Sequence, residues 1–382
     1  MKTAGIICEY NPFHLGHLRQ FRLIREQLGQ DCAIVCLMSG NYVQRGEPAM
    51  WDKFTRAKSV LNCGADLVLE LPITGVLQSA EGFAATGVEI LSSLGCIDYL
   101  CFGVEAGDAG TFMSLAEQID TPEFTNKLRA GLDAGLPYAA ARQQALRDET
   151  GLLDTPNNIL ALEYCRAILK TNSSMIPLPV IRNGSYHAVE PREGEPSATA
   201  VRNIFPHGPW EDYVPAPSAE ILTQAPWYQT SFGERAVLSR LRALEETQWE
   251  ACAHGSEGLW RKAMKAARTQ PNLENIISAT KSKRYPRTRI QRLLLCAYLG
   301  ISDEVLKSPI PYVRVLAASE QGRVLLRQAK KQCDLPIVNA GQTPQNKPYY
   351  ELECLASGLF TLFSADPSGT MATMEQSGRT HL

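Results

Sequence analysis

The run from Ala4 to His17, Ala-Gly-Ile-Ile-Cys-Glu-Tyr-Asn-Pro-Phe-His-Leu-Gly-His, constrains the fold more than any other stretch of the chain. Gly5, Ile6 and Ile7 belong to a short apolar run of the kind that forms a parallel strand covered on both faces. Asn11-Pro12 ends that strand, because proline fixes φ and has no backbone donor. Past Gly16, the apolar positions Leu18, Phe21, Leu23, Ile24 and Leu28 suit one face of a helix that stops at Gly29. A helix that opens directly after a strand turns its free N–H groups and positive dipole end toward the connecting loop, where an anion is favoured. His14 and His17 flank Gly16 there, and the glycine lets a ligand come close to the backbone. Imidazoles so placed can donate to phosphoryl oxygens and stabilise charge that grows during displacement at phosphorus. An H-x-x-H pair by itself also serves as a cap or half a metal site; the strand and Asn-Pro-Phe ahead of it favour nucleotide phosphate.

Strand and helix patterns go on alternating. Cys32 to Met38 reads as a second apolar strand, Asp66 to Pro72 as a third, Cys96 to Gly103 as a fourth, and Ser174 to Arg182 as a fifth, whose two prolines place it at a sheet edge. Helical sequence separates them, so the expected fold class is α/β with a doubly wound parallel sheet. Such sheets bind ligands outside the carboxyl ends of their strands. Ser39 to Pro48, polar and glycine-punctuated, falls there, with an ordinary connecting loop as its simpler reading. Gly103 falls there too, as room for a base or ribose or as a turn glycine. The helix from Asp52 carries Lys53, Arg56 and Lys58, which read as a solvated face. A later helix starts at Thr155-Pro156-Asn157-Asn158, with a capping threonine and a first-position proline. Its asparagines can satisfy helix N–H groups or hydrogen-bond a ligand. Ser197-Ala198-Thr199-Ala200-Val201-Arg202 brings two hydroxyls, backbone N–H groups and a guanidinium to another helix start, the makings of a second phosphate site or an N-cap with an incidental arginine.

The length of 382 residues predicts two domains. Strand alternation ceases near Phe205, where Pro206, Pro209, Pro215 and Pro217 fit a linker, so the expected division is 1–204, catalytic, and 205–382, mainly helical. Between Glu257 and Arg292 the second part holds ten Lys or Arg against two acids, in a chain whose net charge is only -2. Arg261, Lys265 and Arg268 share a helical face. Lys281, Lys283, Arg284, Arg287, Arg289 and Arg292 surround Tyr285, a density that favours RNA over a merely solvated face. Pro311 to Leu316, a helix through Gln332 and Leu335 to Val338 suggest a small strand-helix-strand element, and the Gly, Ser and Thr-rich tail after Asp366 is expected to fray. The eleven cysteines form no C-x-x-C pair and read as small buried apolar residues of a reducing cytoplasm. Met1-Lys2-Thr3 leads straight into the first strand, so no signal peptide is expected, and no apolar run reaches the length of a membrane span.

His14-Leu15-Gly16-His17 resembles the H-x-G-H signature of the nucleotidyltransferase superfamily shared with class I aminoacyl-tRNA synthetases. Ser197 to Arg202 resembles its second signature, a Ser/Thr-rich segment ending in Arg or Lys that holds the β- and γ-phosphates. Adding Ser39-Gly40-Asn41 through Pro48 with Asp52-Lys53, Phe102-Gly103, Pro156 to Leu160 and Lys283 through Arg292, the chain is similar to the bacterial tRNA(Met) cytidine acetate ligases up to about Leu316. That resemblance implies a Rossmann-like sheet of the HxGH nucleotidyltransferase type. It further implies activation of acetate with ATP to acetyl-adenylate, then acetylation of the wobble cytidine of elongator tRNA(Met) to N4-acetylcytidine.

Carried over by residue, the ATP site comprises Ile7, Cys8, Glu9, Tyr10, Asn11, Pro12, Phe13, His14, Leu15, Gly16, His17, Leu18, Arg19, Gln20, Gly103, Asn157, Asn158 and Arg182. Ser197, Thr199 and Arg202 join it from the second signature. His14, His17 and Arg202 are the expected catalytic residues, and an acetate pocket is expected near Gly40 to Arg45. Lys281, Lys283, Arg284, Tyr285, Arg287, Arg289 and Arg292 are the expected RNA-binding set. Magnesium would arrive with ATP, since no carboxylate cluster names a protein metal site. Acetate and elongator tRNA(Met) are the implied partners, with no membrane and no protein partner. The sequence departs from the family pattern after Arg182, where Asn183-Gly184-Ser185 precedes Tyr186-His187. The residues themselves leave open a small-molecule adenylyltransferase acting on a mononucleotide or phosphopantetheine, which has no need of the basic second part. They also leave open a non-catalytic RNA-binding protein on a nucleotide-binding fold, against which the intact His14, His17 and Arg202 argue.

Overall fold

The five apolar runs of the first half all enter one sheet in the computed structural model, which describes residues 1–146, 151–182, 196–339 and 341–367. Nine strands form among these residues: β1 (Thr3–Cys8), β2 (Ala33–Ser39), β3 (Tyr42–Val43), β4 (Glu47–Pro48), β5 (Leu67–Leu71), β6 (Tyr99–Val104), β7 (Ile176–Ile181), β8 (Val313–Ala318) and β9 (Ile337–Asn339). Seven of them make a sheet in the order β7-β6-β1-β2-β5-β8-β9, parallel from β7 through β5. The proline-bearing β7 lies at an edge, as its lack of donors requires. Strands β3 and β4 form a separate antiparallel hairpin within Ser39 to Pro48, the polar segment expected at the ligand-binding end of the sheet, with a connecting loop as the simpler reading.

Successive residues of the central strands pack on opposite faces. Ile34, Cys36 and Met38 join Phe21, Ile24, Ala57 and Val60 on one side, while Ala33, Val35 and Leu37 join Phe83, Val88 and Leu162 on the other. The covering helices include α1 (Leu15–Leu28), α2 (Lys53–Asn62), α3 (Ala80–Ser93) and α4 (Pro156–Lys170). Helix α1 ends where its glycine predicts: Gly29 has φ 113° and donates its N–H to the Arg25 carbonyl. Beyond them lie α5 (Ala198–Ile204), α6 (Leu259–Thr269), α7 (Leu273–Thr280), α8 (Arg287–Leu299), α9 (Glu320–Gln332) and α10 (Lys347–Thr361). Among the described residues no helix is long and apolar enough to cross a membrane.

Two expectations need correction. The strand-helix-strand element near the end of the chain forms as β8, α9 and β9, yet it is part of the main sheet: β8 pairs antiparallel with β5, with Leu67 opposite Ala318. A division at 204/205 therefore does not coincide with a limit of the sheet. Lys53 and Arg56 are not a solvated face either, since both are 1% exposed. Asp52 caps α2 by accepting from Phe54 and Thr55. Lys53 reaches both Glu70 carboxylate oxygens at 2.8 Å, and Arg314 of β8 lies against Glu70 and Glu353. Arg56 donates to the carbonyls of Glu9, Ser39, Gly40 and Trp51. These charges stitch the ends of β1 and β2 to α2, and breaking one partner of such a buried pair costs about 3–5 kcal/mol. Asn183-Gly184-Ser185, Tyr186 and His187, and the tail from residue 368, lie outside the described residues.

Candidate active site

Strands β1 and β6 are neighbours, but the chain leaves β1 toward β2 and β5 before returning to form β6 and β7 on its other side. Where strand order reverses in this way, the loops diverge and leave a crevice at the carboxyl ends. A cavity of about 570 Å³ occupies that crevice. The ends of β1, β6 and β7, the starts of α1, α4 and α5, and the β3–β4 hairpin with α8 line it.

The loop after β1 is built around aromatic packing and helix capping. Tyr10 has φ 43°, a left-handed conformation that costs a non-glycine residue of order 1 kcal/mol and is held here by packing. Its ring meets Phe13 and His17 edge-on, with centroids 4.9 and 4.7 Å away. The Asn11 side chain accepts from the Met50 N–H at 2.7 Å. His14 is the N-cap of α1, its Nδ1 accepting from the Gly16 N–H at 3.1 Å, while His17 Nδ1 accepts from the His14 N–H at 3.3 Å. Both rings therefore keep their proton on Nε2 and present it as a donor. They stack with centroids 3.7 Å apart. Burial, with Arg182 and Arg202 nearby, pulls the His14 imidazole down to about 3, and burial with His14 and Arg182 pulls His17 well below its ordinary value. The pair is neutral at physiological pH: two fixed N–H donors with no tendency to give up or take a proton.

Gly16 has a more local purpose than close ligand approach. A Cβ there would lie 2.9 Å from His14 Cε1, so the glycine makes room for the ring that caps the helix. Gly103 is likewise covered from within, since its Cβ would meet the Arg182 stem at 2.9 Å. The absent side chain lets Arg182 cross the end of β6 into the cavity wall. Beside the histidine loop, Ser197 caps the short helix α5 by accepting from the Ala200 N–H, and Arg202 donates to the Asn11 carbonyl at 2.7 Å and to Thr199 Oγ1 at 3.2 Å. A small cluster of Met50, Trp51, Val201 and Trp210 fixes α5 against the segment between β4 and α2.

The cavity takes in most of the expected ATP residues and leaves some out. Ile7, Cys8, Glu9, Tyr10, Asn11, His14, Gly16, His17, Arg19, Gln20, Gly103, Asn157, Arg182, Ser197, Thr199 and Arg202 line it; Pro12, Phe13, Leu15 and Leu18 do not, and Phe13 packs behind the loop. The asparagines part company. Asn158 is buried, donating to the Leu152 carbonyl and accepting from the Glu105 N–H, whereas Asn157 faces the cavity and donates to Glu105. Thr155 spends its hydroxyl on Glu105 rather than on the helix cap. Burial raises the Glu9 carboxyl, with the Gln44 N–H, Arg202, Arg45 and Arg56 opposing that rise.

Arg292, grouped with the RNA set from sequence, is 8% exposed and lines the cavity with Thr288, Gln44 and Arg45. Its neighbours on the other side of α8 remain outside. Arg284 and Arg289 pair with Glu257, and Arg287 with Glu274. Guanidiniums of Arg284 and Arg289 lie 5.9 and 5.5 Å from the Tyr285 ring centroid, so that ring is flanked on the protein rather than open. Lys281 and Lys283 are exposed, and Lys262 of α6 donates to the Lys281 carbonyl, joining the exposed face of Arg261, Lys265 and Arg268 to this stretch. Among the described residues no group of three His, Cys, Asp or Glu is placed to hold a metal ion. Sequence patterns missed Thr288, Ala80 and Phe83 in the cavity wall, where only the packing of α3 and α8 brings them.

The sequence model of the HIGH nucleotidyl transferases matches residues 1–375. The tRNA(Met) cytidine acetate ligase of Acetivibrio thermocellus is 35% identical over 410 residues, covering 98% of each chain. That of Caldanaerobacter subterraneus subsp. tengcongensis is 36% identical over 390 residues, covering 95% of each. Among solved structures, Thermotoga maritima TmcAL bound with alpha-thio ATP is similar with a TM-score of 0.87 at 30% identity, over 99% of this chain and 98% of that one. The apo form gives a TM-score of 0.90 at the same identity and coverage.

Proposed function

The chain belongs to the HIGH nucleotidyl transferases and, among them, to the tRNA(Met) cytidine acetate ligases, and from that membership we propose how its residues divide the reaction. It is an ATP-dependent ligase of tRNA modification. An acetate oxygen attacks the α-phosphorus of ATP, the bond to pyrophosphate breaks, and acetyl-adenylate forms. The exocyclic amine of the wobble cytidine of elongator tRNA(Met) then attacks the acetyl carbonyl; the amine loses a proton, AMP departs and N4-acetylcytidine results. Both steps need reactants held in line and charge stabilised as it moves, with no covalent enzyme intermediate.

His14 and His17 donate their Nε2 protons to phosphoryl oxygens, and as neutral groups they do so without a protonation step. Arg202, with Ser197, Thr199 and the α5 N–H groups, holds the departing pyrophosphate, while Arg182 and Asn157 border the nucleotide. The exposed basic face of α6 and the 281–289 stretch binds the tRNA, in the cytoplasm where tRNA is found. One observation carries this reading: α8 bears exposed Arg287 and half-buried Arg289 outside the cavity and Thr288 and Arg292 in its wall. A single rigid element thus joins RNA binding to the place where the activated acetyl group forms. A small-molecule adenylyltransferase needs no such connection.

The test is ATP–pyrophosphate exchange with and without acetate, followed by transfer of labelled acetate to tRNA. Acetate-dependent exchange and labelled tRNA are expected. Exchange that ignores acetate, or that requires a mononucleotide in its place, would overturn the reading.

A further inference from the structure

The part of the cavity wall formed by the β3–β4 hairpin and α8 contains a cation that the phosphate cradle does not account for. Arg292 is more than nine-tenths buried, yet among the described residues no carboxylate pairs with it. Its Nε has no hydrogen-bond acceptor, and Nη1 makes only a long 3.4 Å contact to the Gln44 carbonyl. Nearby carboxylates are already engaged: Glu47 accepts from Gln291 at 2.7 Å, Glu9 from the Gln44 N–H, and Glu257 from Arg289. Burying an unpaired guanidinium is costly unless an anion offsets it.

The same wall shows how the group is held. Gly46, at φ 81° in the hairpin turn, brings its backbone against α8 so closely that a Cβ would lie 2.6 Å from the Arg292 backbone nitrogen. Hairpin and helix are therefore locked at the residue whose side chain faces the cavity. That fixed guanidinium lines the same cavity as His14, His17, Arg182 and Arg202, to which the polyphosphate is assigned above. The reaction requires a second anion there, a small carboxylate that must approach an already anionic α-phosphate. A guanidinium suits this task, because its planar donors hold a carboxylate in one orientation and neutralise its charge.

We propose that Arg292, with the Thr288 hydroxyl beside it in the cavity wall, is the acetate-binding residue of this enzyme. It holds one carboxylate oxygen and leaves the other to form the bond to phosphorus as the bond to pyrophosphate breaks. Arg292 thus binds acetate rather than RNA, and the β3–β4 hairpin is the floor of the acetate subsite. This assignment rests on the acetate-ligase reading, which fails independently if the unaltered protein shows no acetate-dependent exchange.

Given such exchange, acetate is titrated into the exchange assay with Arg292→Lys and Arg292→Met. The KM for acetate is expected to rise at least tenfold in both, more for Met, with the Kd for ATP measured without acetate changing less than twofold. Guanidinium chloride should partly restore acetate saturation to Arg292→Ala. Retained ATP binding shows that each variant is folded, and Lys keeps charge and bulk should Met destabilise the wall. An unchanged KM for acetate with weakened tRNA binding would assign Arg292 to an RNA phosphate and overturn the proposal. A parallel rise in the Kd for ATP would assign it to the nucleotide and overturn it equally.

Discussion

Arg287 and Arg292 stand little more than a turn apart on one helix, and they live in opposite electrostatic worlds. Arg287 is exposed and paired with Glu274, as Arg284 and Arg289 are with Glu257. Arg292 is buried in a cavity wall without a carboxylate partner among the described residues, and burial pushes its guanidinium down to about 10. Exposed ion pairs contribute about 0–1 kcal/mol each, so a polyanion can replace the carboxylates at little cost and exchange them for phosphates. A buried cation has no such exchange to make and waits for a ligand of defined size. The contrast teaches that the basic composition of the 257–292 window covers two different devices, one adaptable and salt-sensitive, the other fixed.

The hardest blow to that contrast falls on the cavity side. His17→Ala removes a preorganised donor and is expected to lower ATP–pyrophosphate exchange by about 10²–10³, while leaving tRNA binding intact in a filter or shift assay. Equal loss of tRNA binding would erase the distinction. Gly16→Ala should displace the His14 ring and lower exchange by roughly ten- to a hundredfold, with ATP affinity measured alongside.

A pH series sharpens the picture of fixed neutral donors. The unfolded chain holds His14 at an ordinary value near 6.5, whereas the folded chain holds it at about 3. Below pH 6.5 the unfolded state therefore binds the extra proton, and the fold loses stability as pH falls from 6.5 toward 3. At about pH 5.5 the loss from His14 amounts to roughly 1 kcal/mol relative to neutral pH. Urea unfolding at the two pH values should show it, and His14→Asn, which keeps a capping acceptor, should flatten the slope. The smallest effect belongs to the exposed side: Arg287→Ala with Arg289→Ala should spare exchange, weaken tRNA binding several-fold and reduce its salt slope by about 1–2. Loss of exchange in that variant would break the division of labour.

Legibility from sequence followed the range of the interactions. Strands β1, β2, β5, β6 and β7 were readable because their apolar runs are local, and the histidine loop because its strand, proline and helix are contiguous. Lys53 and Arg56 were misread as solvated because their partners, Glu70, Arg314 and the carbonyls of Glu9, Ser39 and Gly40, come from other strands. Asn157 and Asn158 are equivalent in sequence and differ only in which side of one helical turn faces the cavity. Arg292 was hidden by composition: the six basic residues between Lys281 and Arg292 look alike until a helix turns one of them inward. The pairing of β8 with β5 had no local signal at all, since partner choice in a sheet is made by tertiary packing.

That last pairing has a consequence in time rather than in space. Strand β5 ends at Leu71, and its antiparallel neighbour begins at Val313, roughly 240 residues later. At about 5–20 residues per second, a ribosome needs on the order of ten to fifty seconds to deliver β8 after β5 has emerged. Throughout that interval the nascent sheet carries an open edge, and Glu70 waits with Lys53 but without Arg314. Open strand edges recruit other chains. The step most exposed to aggregation in the life of this protein is therefore its synthesis, and a chaperone that shields β5 should raise the yield of finished enzyme more than one acting on the completed chain.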